Sequence, residues 1–158
     1  MLHSYENLSD QVRAEAARLM QDLLYSGIDL YLQIKETHWT VRGRDFIALH
    51  RLFDEVADNV REISDDFAER VAQLGHKPNG TVQIVAANTS LPPYPDKVPS
   101  VDIHVEVVSQ HLGAFISHGS NTVSKLDELE DVISSDLVVS SMRGLSKQLW
   151  MIASHLPT

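Results

Sequence analysis

Residues 37–75 read THWTVRGRDFIALHRLFDEVADNVREISDDFAERVAQLG: the end of one helix, a glycine-containing turn, and a second long amphipathic helix. Within that second helix, Phe46, Leu49, Leu52, Phe53, Val56, Val60, Ile63, Phe67, Val71 and Leu74 recur at three- and four-residue spacing, the signature of one apolar helical face. The same helix carries two pairs at i,i+4, His50/Asp54 and Asp65/Glu69, with His38 just upstream of the turn. Side chains four residues apart stand one turn apart on the same face, so each pair forms a clip of two donor atoms. Imidazole nitrogen with carboxylate oxygen suits iron, manganese or zinc. Asp54 and Asp65 return to nearly the same face but lie roughly 16 Å apart along the axis, too far to share an ion. If both clips hold the same metals, a second copy of the helix must run antiparallel about a two-fold near Asn59 or Val60. His50/Asp54 of one copy would then face Asp65/Glu69 of the other. The spacing asks for a homodimer with two equivalent sites.

Outward from this stretch, the chain reads as four main helices. Val12, Ala16, Leu19, Leu23, Leu24, Ile28, Leu30, Tyr31 and Ile34 place a first helix over 9–39, with Ser9-Asp10 as its N-cap region. The second covers 45–74, with Asp45 as N-cap and Gly75 at the position after the C-cap. Five prolines fall between 76 and 100. Within that span TVQIVAAN, residues 81–88, reads equally as a short helix or an extended piece. A connection this long crosses the bundle rather than closing a hairpin. Helical periodicity resumes over 101–130 and again over 136–155. No internal repeat or linker divides the chain, so residues 1–158 are expected to form one all-α domain, a four-helix bundle with a long crossover.

The bulk numbers exclude several functions. With 43% hydrophobic and 22% charged residues the 158-residue chain has the composition of a globular domain. No apolar run approaches the ~20 residues that span a bilayer, and the first residues lack a secretory pattern. There are no cysteines, which removes disulfides, thiolate zinc sites and iron–sulfur ligation and fits a cytoplasmic setting. The net charge is −9, and MIASHLPT at the end carries no Lys or Arg. Neither end is a basic arm, so strong DNA binding at physiological salt is not expected.

The run 37–75 closely resembles the Dps family of ferritin-like mini-ferritins: His38-Trp39, Gly43, Phe46-Ile47-Ala48, His50, Asp54, ten intervening residues, then Asp65, Glu69 and Arg70. Asp102-Ile103-His104 and Leu149-Trp150 extend the likeness across most of the chain. The resemblance implies a shell of twelve four-helix subunits that oxidises Fe(II), commonly with hydrogen peroxide rather than oxygen, and stores Fe(III) mineral. It implies a site with two irons, replaceable by zinc or manganese, held by His38, His50 and Asp54 of one subunit and Asp65 and Glu69 of its two-fold mate. It also gives Trp39 a role as an electron donor beside the metals, compatible with packing at a helix end. Acidic residues near Asp127, Glu128, Glu130 and Asp131 would line an iron-entry pore; a solvated acidic helix end is the equal alternative.

Three further features have plainer readings. His104, His111 and His118 form a stripe with members about 10 Å apart, expected at the surface or an interface. Arg70 is expected to order a carboxylate beside it or to pair on the surface, and Asp66 to be solvated. Two other functions compete. A rubrerythrin-like di-iron enzyme would need Glu-x-x-His on two helices, and no Glu here has a His three residues later. A DNA-associated shell without ferroxidase activity is the remaining alternative, and the intact five-ligand set speaks against it.

Overall fold

The computed structural model describes residues 7–156, and among them there are five α-helices and no strand. They are α1 Asp10–Thr40, α2 Phe46–Gln73, α3 Val82–Asn88, α4 Val101–Glu128 and α5 Val132–Ala153. Helices α1 and α2 pack along their lengths as one hairpin and α4 and α5 as another; α1 against α4 and α2 against α5 close the bundle, and α3 lies on α1. Phe53, Phe67, Phe115, Leu23, Leu30 and Leu112 are fully buried at its centre. The fold is the expected four-helix bundle with a long crossover, and TVQIVAAN resolves as the short helix α3.

The turn after α1 is set by two residues with positive φ, Gly43 at 103° and Asp45 at 61°. Asp45 stands at the N-cap position of α2, but its side chain makes no capping hydrogen bond. The expected cap is therefore corrected: left-handed Asp45 re-aims the chain, and its carbonyl accepts from Leu49 N at 3.0 Å. Val41 anchors the same turn in the core. At the other end of α2, Gly75 at φ 88° ends the helix. Its N–H donates to Ala72 O and the next N–H, of His76, to Val71 O, the double bond of a Schellman motif.

The α4–α5 connection uses the same device with Glu130 at φ 58° in the glycine position. Asp131 then caps α5 by accepting from Ser134 N at 3.1 Å. Helix α5 therefore starts at Val132, four residues before the expected 136. Its first turn is VISS, whose Val132 and Ile133 are exposed and whose Ser134 and Ser135 are buried, the reverse of the pattern that periodicity reads.

The crossover is pinned to the bundle by polar contacts. Gln21 and Asn79 exchange two hydrogen bonds. Thr89 donates to Asp29, Gln33 to the carbonyl of Pro92 and Thr37 to Tyr94 Oη. The α4 histidines belong to this layer, not to an open surface. Tyr94 Oη lies 3.3 Å from His104 Nδ1, Gln33 Oε1 is hydrogen-bonded to His111 Nδ1, and Ser90 Oγ lies 3.3 Å from His118 Nδ1. His104 and His111 are buried and His118 is half-buried, which corrects the expectation of a stripe at the surface or an interface. Burial holds all three imidazoles below their ordinary pKa, opposed at His111 by Asp29 and at His118 by Asp22. No helix among the described residues is long and apolar enough to cross a membrane.

Candidate metal centre

The α1–α2 hairpin folds the last turn of α1 back onto the first turns of α2, which sets His38 beside His50. Their rings stack with centroids 3.8 Å apart and planes 18° from parallel. His38 Nδ1 lies 2.7 Å from the carbonyl oxygen of His50, and His50 Nδ1 lies 2.8 Å from that of His38. A carbonyl only accepts, so both Nδ1 atoms carry the proton and donate. In the neutral rings each Nε2 then holds a free lone pair, the form in which imidazole binds a metal. Backbone partners on the opposite nitrogen fix both tautomer and ring orientation. Phe46 tilts against His50 at 5.0 Å, and the Arg42 guanidinium lies over Phe46 at 5.8 Å.

Asp54 stands one turn below His50. Its Oδ1 is 3.8 Å from His38 Nε2, and it accepts a hydrogen bond from Lys35 Nζ at 2.5 Å. The Lys35 hydrogen bond holds the Asp54 carboxyl below the ordinary carboxylate range; slight desolvation opposes it, and the positive charge of Lys35 adds to it. Lys35 thus keeps the carboxylate ionised while occupying one of its oxygens.

Asp65 and Glu69 are exposed on the outer face of α2, and the chain does not bring them to the histidines. Asp65 instead lines a groove of about 490 Å³ along α1 and α2, with Leu24, Ile28, Tyr31, Arg61 and Ala68. Among the described residues of one chain, no three His, Asp or Glu side chains converge as a metal cage. Two imidazoles and a carboxylate share one patch, two carboxylates share another, and both lie along α2, with His38 contributed by α1.

Trp39 is 56% exposed, so its ring is not a core-packing group of this chain. Arg70 is 2% exposed: it donates to Asp131 Oδ1 at 3.0 Å and Ser134 Oγ at 2.8 Å. The expectation of a surface pair is corrected, and the carboxylate it orders across the bundle is Asp131. The acidic cluster divides accordingly. Asp131 is buried; Asp127, Glu128 and Glu130 are exposed, and Asp127 accepts from Ser135. Asp66 is solvated as expected. Lys35 is the site neighbour that motif reading missed. Its position one turn before His38 on α1 was the available signal.

A family model of the ferritin-like domain matches residues 17–158. The bundle and that match place the chain in the ferritin-like class. It is 30% identical over 155 residues to the DNA protection during starvation protein of Agrobacterium fabrum, covering 98% of this chain and 96% of the relative. It is 32% identical to the protein of that name from Mycolicibacterium smegmatis, over 94% of this chain and 81% of the relative. The solved structure of Mycobacterium smegmatis Dps superposes with a TM-score of 0.94 at 30% identity, covering all of this chain and 95% of that one. The chain belongs to the Dps family.

Proposed function

We propose that this protein is a ferroxidase and iron-storage shell, built as a dodecamer of two-fold dimers, with a di-iron site shared across each dimer. His38, His50 and Asp54 of one subunit and Asp65 and Glu69 of its mate supply the ligands. The observation that carries this reading is the reciprocal pair of Nδ1–H···O=C bonds at His38 and His50. Those bonds leave both Nε2 lone pairs free beside an ionised carboxylate. Isolated stacked histidines at a surface gain little from such mutual orientation. A metal-binding pair requires it.

The donor set fits the chemistry. Neutral imidazoles accept Fe(II) on entry, and the hard anionic oxygens of Asp54, Asp65 and Glu69 favour Fe(III), so oxidation is downhill at the site. With hydrogen peroxide, two Fe(II) each give one electron, the O–O bond breaks, and two protons complete two waters. Pairing the irons makes peroxide a two-electron oxidant and avoids release of hydroxyl radical. Zinc or manganese, having the same ligand preferences, would occupy the site without this turnover. Trp39, next to His38 and exposed, would give an electron when only one iron is present.

DNA protection is the function in the names of the relatives. For this chain we place it in removal of Fe(II) and peroxide rather than in contact with DNA, since a net charge of −9 opposes phosphate binding. Retardation of DNA in a gel at about 0.15 M salt would overturn that reading. The ferroxidase reading is tested by anaerobic Fe(II) oxidation with peroxide. It expects two irons consumed per peroxide and loss of the fast phase in His50→Ala; equal rates in the variant and the parent protein would defeat it.

A further inference from the structure

The outer face of α2 holds more than the two clips. Between them stand Asp58 and Arg61, both 61% exposed, with Arg61 Nε 3.8 Å from Asp58 Oδ1. Asn59 and Val60, at the same height, do not face outward: Val60 is buried, and Asn59 donates to Gln148 of α5. Pairing Asp58 with Arg61, Asp54 with Asp65, and His50 with Glu69 gives three pairs with one common midpoint, between Asn59 and Val60. At about 1.5 Å per residue the members lie roughly 2, 8 and 14 Å either side of it, along one outward stripe.

We propose that Asp58 and Arg61 form a reciprocal charge lock with Arg61 and Asp58 of a second copy of this chain, setting the antiparallel register that completes the shared site. The inference rests on the two-fold site proposed above and adds what selects its register. A two-fold through the common midpoint brings each Asp58 to the height of the partner copy's Arg61, so the four charges at the axis sum to zero. In the two-fold register the one acid-on-acid pair is Asp54 with Asp65, where the shared metals would sit. Sliding one helix by about 6 Å, four residues, sets Asp58 against Asp65 instead of Arg61 and moves Glu69 from His50 to Asp54. Without Arg61 the face would carry Asp54, Asp58, Glu62, Asp65 and Glu69, and two such faces repel. The apolar part of the contact comes from the adjoining groove, where the half-buried Ile28 and Tyr31 lie with Arg61. Within one chain the Asp58–Arg61 pair is an open i,i+3 contact worth little. Its value comes from the second copy.

The test uses charge reversal. Asp58→Arg makes the axis all-positive and Arg61→Asp makes it all-negative, so each variant alone should lose two-fold dimers and Fe(II) oxidation together. The swap Asp58→Arg/Arg61→Asp restores alternation and should recover both. Mixing the two single variants, distinguished by mass, should give about a tenfold excess of mixed over like dimers, because only the mixed pair is complementary. Random pairing, or a swap no better than the single variants, would overturn the lock. Circular dichroism of each variant separates misfolding from lost pairing, and the swap remains decisive if one single variant fails to fold. Failure of the site reading looks different: biased pairing would persist while the parent protein showed no Fe(II) oxidation.

Discussion

Asp131→Ser should cost this protein about 4 kcal/mol of stability, although the residue is not one of the candidate ligands. Arg70 and Asp131 bury their charges to 2% and 1% exposure, and Asp131 also caps α5. Removing one member of a buried pair leaves the other charge uncompensated, at about 3–5 kcal/mol. Serine is itself a good N-cap, so the capping share of the effect, about 1 kcal/mol when lost, is largely retained. For a chain of this size the loss corresponds to roughly 8–16 °C in melting temperature. Arg70→Met/Asp131→Ser removes both charges and keeps the cap, so it should be more stable than Asp131→Ser alone. The assay is thermal and urea unfolding of metal-free protein across the full double-mutant cycle. A cost below about 1 kcal/mol for Asp131→Ser, or a double variant less stable than that single one, would refute the reasoning.

Three other outcomes follow from the structure. Gly75→Ala, at φ 88°, should cost about 1–2 kcal/mol in urea unfolding, since an L side chain strains that conformation. His104, His111 and His118 are held below their ordinary pKa, so as pH falls through about 6.5 the unfolded chain takes up protons first. Stability is therefore full above that pH and drops below it, by at most about 1.4 kcal/mol per histidine per pH unit; urea midpoints at pH 7.5 and 5.5 measure it, and His111→Gln should flatten the slope. Lys35→Met removes the cation that occupies Asp54 and should tighten Zn(II) binding several-fold in calorimetric titration, whereas a weaker affinity would mean that Lys35 orients the carboxylate rather than competing for it.

The bundle was legible because its signals are local and redundant. The apolar spacing on α1 and α2, the glycine turn at Gly43 and the stop at Gly75 each point to the same hairpin. What escaped depended on partners far along the chain. Nothing near His111 announces Gln33, and nothing near Arg70 announces Asp131, so the buried His104 and His111 read as surface or interface groups and the buried Arg70 as one side of a surface pair. Helix α5 began early because its cap, Asp131, belongs to an acidic run whose other members are solvated. The candidate ligands were legible as clips on one helix, and the stacking and reciprocal bonding of His38 and His50 were not. That geometry arises from the hairpin, which brings a carbonyl of each helix to a ring of the other.

The claim that two subunits share each site is tested most directly by complementation. Asp54→Asn and Glu69→Gln each disable both sites of a homodimer. A mixed dimer keeps one site with all five parent ligands, Asp54 coming from the Glu69→Gln subunit and Glu69 from the Asp54→Asn subunit. Co-assembled protein with verified mixed dimers should therefore oxidise Fe(II) at up to half the parent rate per dimer, while each variant alone is inactive. Mixed dimers as inactive as the two variants would contradict a shared site.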